Sequence, residues 1–169
     1  VVAGWYRGTP SIRVYDISGG APAAVGPAVE ASTVSISEHG DMDVAMGIDG
    51  DICVAMARAD SHSVEIARFS IDGTPLGTTN VVSDDDGLSY GASVSVDIGH
   101  SGDIAVAWGR DDGDLVQLRL FNSVGVARTG VLNAQDYAWS NDISNTLVSV
   151  AVDRHGRTIV AWQSHDNGP

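Results

Sequence analysis

The chain has no lysine and a single cysteine among its 169 residues. One thiol permits no intrachain disulfide, so packing alone must hold the fold. Cys53 stands between Ile52 and Val54 in a strand-like run, the setting of a small buried hydrophobe rather than a nucleophile. Nine arginines face 22 acidic residues, giving a net charge of −13. Basic patches are therefore hard to assemble, which argues against nucleic acid and against an anionic membrane surface as partners. No run of 18 apolar residues occurs, so no membrane insertion is expected. A sustained helical period is also missing, and Pro, Gly and Asp interrupt the chain throughout. No H-E-x-x-H, P-loop or G-x-G-x-x-G motif is present, so the usual local signatures of zinc and nucleotide chemistry are missing.

What is present is a repeat. Residues 94–112, VSVDIGHSGDIAVAWGRDD, reappear upstream as MDVAMGIDGDICVAMARAD and downstream as VSVAVDRHGRTIVAWQSHD. VVAGWYR, at residues 1–7, matches the second half of the same pattern. Trp5, Met56, Trp108 and Trp162 are then equivalent, at spacings of 51, 52 and 54 residues. A period near 50 lies in the range of propellers and stacked arrays. Further landmarks keep the register: Arg7, Arg58 and Arg110 two residues on, and Tyr15, Phe69 and Phe121 closing a later strand. Gly19, Gly73 and Gly125 follow those aromatics by four residues.

Each unit reads as four strands. The first is VSV-like, at 44–46, 94–96 and 148–152. Turns carrying Asp49-Gly50, Ser101-Gly102 and His155-Gly156 follow, suited to the positive φ of tight hairpins. The V-A-W run is second, the aromatic-ended strand third, and a weaker segment fourth, at 79–83, at 129–134, and at either 28–31 or 33–37. In the second strand Ile104, Val106 and Trp108 alternate with Ala105, Ala107 and Gly109. Both faces are apolar, one large and one small. Such a strand is covered on both sides, and large-on-small packing of successive sheets is the expected solution.

The pattern V-x-V-D-x-x-x-x-G-x-x-x-V-A-W, followed by an aromatic-ended strand and x-x-x-G, resembles a bacterial β-propeller repeat of secreted and surface proteins. It is carried here by Val94, Val96, Asp97, Gly102, Val106, Ala107, Trp108, Arg119, Phe121 and Gly125. Ala45 stands at the Asp97 position and Met56 at the Trp position. The resemblance implies an all-β, propeller-like array of about three four-stranded antiparallel blades, partial or completed by oligomerisation. The chain is expected to be one repeat domain, 1–169, with units near 1–41, 42–93, 94–147 and a partial 148–169. An extracellular or cell-surface setting follows from the resemblance. No catalytic residue does.

Four groups of residues could carry function. Asp84, Asp85 and Asp86 before Gly87 resemble part of a calcium loop, as do Asp111 to Asp114 and Asp41-x-Asp43, although none has the full EF-hand spacing. Ca2+ is accordingly the one cofactor to test. Arg58 and Arg110 project beside the Met/Trp position if the strand continues, and suit either carboxylate binding or Arg–Asp ties repeated with the blade. Tyr137 and Trp139, in an Asn- and Ser-rich stretch, could stack on sugar rings or pack a loop onto a blade. The five histidines form no metal-binding pair. The expected function is a non-catalytic binding or assembly module recognising carbohydrate or protein. The alternatives are a sialidase-like hydrolase or lyase and a purely structural segment of an adhesive protein.

Overall fold

The computed structural model describes residues 2–7, 9–32, 41–58, 63–77, 80–81, 93–110, 115–134 and 147–163. Among them there is no helix, and the fold is all-β, built of small antiparallel sheets. The first sheet holds β1 (Val2–Arg7), β2 (Thr9–Asp16), β3 (Ala23–Ala24) and β4 (Val29–Glu30), with β3 and β4 both on the outer side of β2. The second runs β5 (Met42–Met46), β6 (Ile52–Ala57), β7 (Val64–Phe69) and β8 (Asn80–Val81) in order. The third is β9 (Val94–Ile98), β10 (Ile104–Arg110), β11 (Leu115–Phe121) and β12 (Leu132–Asn133). A hairpin of β13 (Leu147–Val152) and β14 (Thr158–Gln163) makes the fourth.

Register confirms the repeat alignment. Met56 pairs with Met42 and Glu65, and Trp108 with Val94 and Gln117. Trp162 lies opposite Val148 in the same place. The turns between first and second strands are also copies. Gly50, Gly102 and Gly156 each donate to the carbonyl three residues back, at 3.0, 2.9 and 3.0 Å. Gly50 and Gly102 have φ of +86° and +79°, the left-handed step a three-residue hairpin needs. In the first sheet the turn after the third-type strand begins one residue later than the sequence pattern implies, because β2 runs on to Asp16. The positive φ falls on Gly20, not on Gly19.

Successive sheets stack large face on small. Ala45, Cys53, Ala55, Ala57, Val64 and Ile66 of the second sheet pack against Val94, Val96, Ile104, Val106, Trp108 and Phe121 of the third. The second sheet's other face, with Ile52, Val54, Met56 and Phe69, covers Ile12 and Val14 of the first. Ala105 and Ala107 of the third receive Val148, Val150, Val152 and Val160 of the hairpin. Alanines and a cysteine on one side leave the depth that branched and aromatic side chains fill on the other. Burial pushes the Cys53 thiol up to about 12, so it stays protonated inside this interface.

A second device joins the sheets. The first strands β5, β9 and β13 lie beside one another, each at the edge of its own sheet. Their outward N–H groups have no ladder partner; side chains of the preceding sheet supply one for β9 and β13, while those of β5 use Asp41 and Asp43 beside them. The Asp43 carboxylate accepts from Val44 N–H of its own strand at 2.8 Å. Its other oxygen accepts from Val96 N–H at 2.9 Å and from the Ser95 hydroxyl at 2.9 Å. Ser95 Oγ in turn accepts from Val150 N–H at 3.2 Å. Three sheets are thus threaded by one chain of hydrogen bonds. Beside it, Asp41 accepts from Val94 N–H at 3.3 Å, Ser93 from Val148 N–H at 3.2 Å and Asp97 from Val152 N–H at 2.7 Å. Asp41-x-Asp43, which resembled a calcium-loop piece, is therefore an edge cap in this fold.

Where the turns of adjacent sheets meet, glycine is required for space. A Cβ on Gly99 would lie 2.7 Å from Val152 Cγ1, and one on Gly47 would lie 3.0 Å from Ile98 Cγ2. Valine is stiff at χ1 and yields poorly. Gly99→Ala is expected to cost about 1–3 kcal/mol by overpacking. Gly130→Ala, with nothing within 4 Å of the new methyl, should cost much less. Urea unfolding of the two variants checks this. Asp43→Ala orphans the part-buried Val96 N–H and should cost about 1–3 kcal/mol. Hydrogen exchange at Val96 should quicken more than at residues in the middle of β10.

Candidate functional site

Open clefts form where two sheets meet near their turns. One, about 480 Å3, lies between the second and third sheets. Asp49, Asp51 and Arg68 line one side and Ser101 and Ser123 the other, with Ile48, Leu76 and Val124 at the rim. Arg68 is mostly buried and reaches Asp51 at 3.5 Å. The lining therefore offers donors, acceptors and apolar contact together, which suits a polar ligand with hydrocarbon faces.

The equivalent place between the third sheet and the hairpin is lined by Asp103, Leu120, Arg128, Val152 and Gly156. Counted by repeat, Asp51 corresponds to Asp103, Arg68 to Leu120, and Leu76 to Arg128. The two outer positions are backbone partners in both units: Leu76 N–H donates to Arg68 O at 2.9 Å and Arg128 N–H to Leu120 O at 2.8 Å. Arginine and leucine have changed places. The ion pair survives, with Arg128 at 2.6 Å from Asp103. Repeated Arg–Asp ties do occur, then, but they use Arg68 and Arg128, within single sheets.

Arg58, the arginine two residues past Met56, has a different partner. Residues two apart in a strand share a face, and Glu65 lies opposite Met56 on that face. Arg58 forms a charged hydrogen bond to Glu65, with the two side chains 21% and 7% exposed. This pair lines a cleft of about 300 Å3 between the first and second sheets, with Glu30, Ala31 and Ser32 on the facing side. The third sheet solves the same position without charge. Trp108 Nε1 donates to Gln117 Oε1 at 3.1 Å, and Gln117 Nε2 donates to Asn133 at 3.2 Å. Methionine has no N–H to offer, so the carboxylate of Glu65 takes the arginine instead.

The carboxylates with shifted acidity sit in turns. Hydrogen bonds from the Ser70 hydroxyl, and then from Thr74 N–H, hold Asp72 down at about 2. Asp153 is held at about 2 chiefly by Arg157 N–H. Asp16 is lowered by Ser18 N–H. Each of these charges stabilises a turn, and each shift runs opposite to that of a general acid.

Of the residues singled out from sequence, Arg58 is placed by the structure and is committed to Glu65. Arg110 lies in β10, but its side chain is outside the described residues. Asp84, Asp85, Asp86, Tyr137 and Trp139 lie outside them too. Among the described residues no three His, Cys, Asp or Glu side chains converge as metal ligands, and no helix is long and apolar enough to cross a membrane. Sequence reasoning missed Arg68, Asp51 and Glu65. The signal for Glu65 was its alignment with Gln117, a polar residue facing the Met/Trp position in both units. No protein-family model, curated protein or solved structure matches the chain.

Two measurements follow. Asp72 ionises at about 2 when folded, against 3.8 in a free side chain. Its contribution to stability is then full above pH 3.8 and lost as pH falls through about 2. Carboxyl carbon shifts followed through an acid titration should show Asp72 and Asp153 titrating last. The Asn122 turn, which accepts from Val126 N–H at 2.8 Å, should keep its amide shifts over that range. Truncating Arg58 to Met leaves Glu65 buried without its cation, and should destabilise by about 3 kcal/mol or more. Arg128→Met, at a 57% exposed side chain, should cost under about 1 kcal/mol by thermal unfolding.

Proposed function

We propose that this chain is a non-catalytic binding and assembly module of a secreted or cell-surface protein, its sheets serving as consecutive blades of a β-propeller. The carrying observation is the way the sheets meet. First strands lie side by side, capped laterally by Asp43, Ser95 and Asp97, while each small face receives the next large one. Blades around a common axis pack in this way, with the first strand innermost. The ligand is a carbohydrate or a protein surface, taken up at the open clefts between blades and by Arg110, Tyr137 and Trp139. Calcium at Asp84, Asp85 and Asp86 belongs to the same reading.

The test pairs a glycan array with a fluorogenic sialoside assay. Retention on defined glycans without release of the fluorophore is the expected result, and Trp139→Ala should weaken that retention about tenfold or more. Turnover of the sialoside would replace the binding reading with a hydrolase. For calcium, the melting temperature should rise on adding the ion and fall back with a chelator. An unchanged melting temperature removes calcium from the account.

A further inference from the structure

The packing rule between sheets has two surfaces left over among the described residues. On the hairpin, the face turned away from the third sheet carries Leu147, Ser149, Ala151, Ile159 and Ala161, all exposed. By register these are the counterparts of Ser93, Ser95, Asp97, Ala105 and Ala107. Ala105 and Ala107 are fully buried beneath the hairpin, whereas Ile159 is 67% exposed and Leu147 61%. Two of the three oxygen-bearing cap positions have become apolar here, as Leu147 and Ala151. The surface has the small-face pattern, with more apolar area to hide.

The complementary surface is on the first sheet. Ile12 and Val14 of β2 point into the second sheet, which turns Ser11, Arg13 and Tyr15 to the opposite side. These three are half-buried. They are the counterparts of Gln117, Arg119 and Phe121, on the face that the third sheet packs onto the second. The likeness extends to detail. Arg119 Nε donates to Thr129 O at 3.2 Å, with its guanidinium 5.8 Å from the centre of the Phe121 ring. Arg13 Nε donates to Gly26 O at 3.2 Å, with its guanidinium 6.0 Å from the centre of the Tyr15 ring. An arginine–aromatic stack that serves one sheet junction is thus built again on a sheet face where no described sheet packs.

We propose that these two surfaces bind each other between copies of this chain, the β13–β14 face of one molecule receiving the β2 face of the next. The occupant is a second copy because the required surface, a large face carrying this stack, exists on the chain itself and repeats an interface already present within it. The contact is head-to-tail, so it joins different patches on the two partners and propagates to a ring or a filament. It deepens the assembly role proposed above and rests on that reading for its purpose. Its physical basis is the packing rule, so its failure is separable from the outcome of the glycan and sialoside assays.

Sedimentation velocity over a concentration series tests this with three variants. Ile159→Lys blocks the hairpin face, Tyr15→Lys blocks the β2 face, and Val126→Lys changes an exposed residue on neither. The unmodified chain and Val126→Lys should self-associate as concentration rises, while Ile159→Lys and Tyr15→Lys each remain monomeric. Mixed in equal amounts, the two blocked variants should form a heterodimer and stop there, since one retains a free hairpin face and the other a free β2 face. Should Tyr15→Lys fail to fold by circular dichroism, Ser11→Lys takes its place. A wild-type chain that stays monomeric throughout overturns the proposal. So does self-association that survives Ile159→Lys, or a mixture of the blocked variants that stays monomeric.

Discussion

A strand at the edge of a sheet carries N–H groups that want partners, and in this molecule the partners are side chains of the sheet before. Asp43, Ser95 and Asp97 meet the backbone of Val96, Val150 and Val152 at 2.9, 3.2 and 2.7 Å. Everything else in the architecture is compatible with that contact or follows from it. It sets the vertical register of one sheet on the next, because a slip by one residue would present a side chain of the wrong face. It brings the first strands β5, β9 and β13 together. It also removes an exposed edge that would otherwise template aggregation. Leaving a buried donor unmet costs about 1–3 kcal/mol, so a few such caps weigh appreciably against a net stability of ordinary size.

The apolar faces then fill the space the caps define. Alanine, glycine and cysteine on one side and valine, isoleucine, methionine and tryptophan on the other give each junction a direction. Gly47 and Gly99 extend that logic to the turns, where Ile98 and Val152 of the next sheet come within about a methyl group's reach. The same direction lets neighbouring sheets vary internally. One sheet satisfies the position facing its central aromatic with Gln117 and Asn133, and another uses an arginine–glutamate pair around Met56.

Much of this was legible in the chain because it is local or periodic. The alternation of Ile104, Val106 and Trp108 with Ala105 and Ala107 announced two covered faces. Gly50, Gly102 and Gly156 announced the turns, and both expectations agree with the coordinates. Gly19 misled by one residue, since β2 runs one residue past Tyr15 before an otherwise equal turn. What composition and spacing could not convey was which donor each carboxylate meets. Asp41 and Asp43 read as fragments of a metal loop because their partners, Val94 and Val96, stand a whole unit away. Arg58 was readable as an anion receptor until Glu65, reached across a hairpin, was seen to occupy it. Arg68 drew no attention at all, because no other unit has arginine at its position.

That exchange has a bearing on how such units diverge. Arg68 with Leu76 in one unit and Leu120 with Arg128 in the next are the same pair of side chains in reversed order, each serving an aspartate that has not moved. Scored column by column, both sites would count as freely variable. Scored jointly, they conserve one cation and one hydrocarbon beside a fixed anion. Drift through a single substitution passes through a unit with two arginines or none, so the neutral path between the two arrangements requires a transient change of charge. Designed arrays of this unit therefore gain a label: arginine placed before or after the outer turn marks a unit while its aspartate keeps a cation.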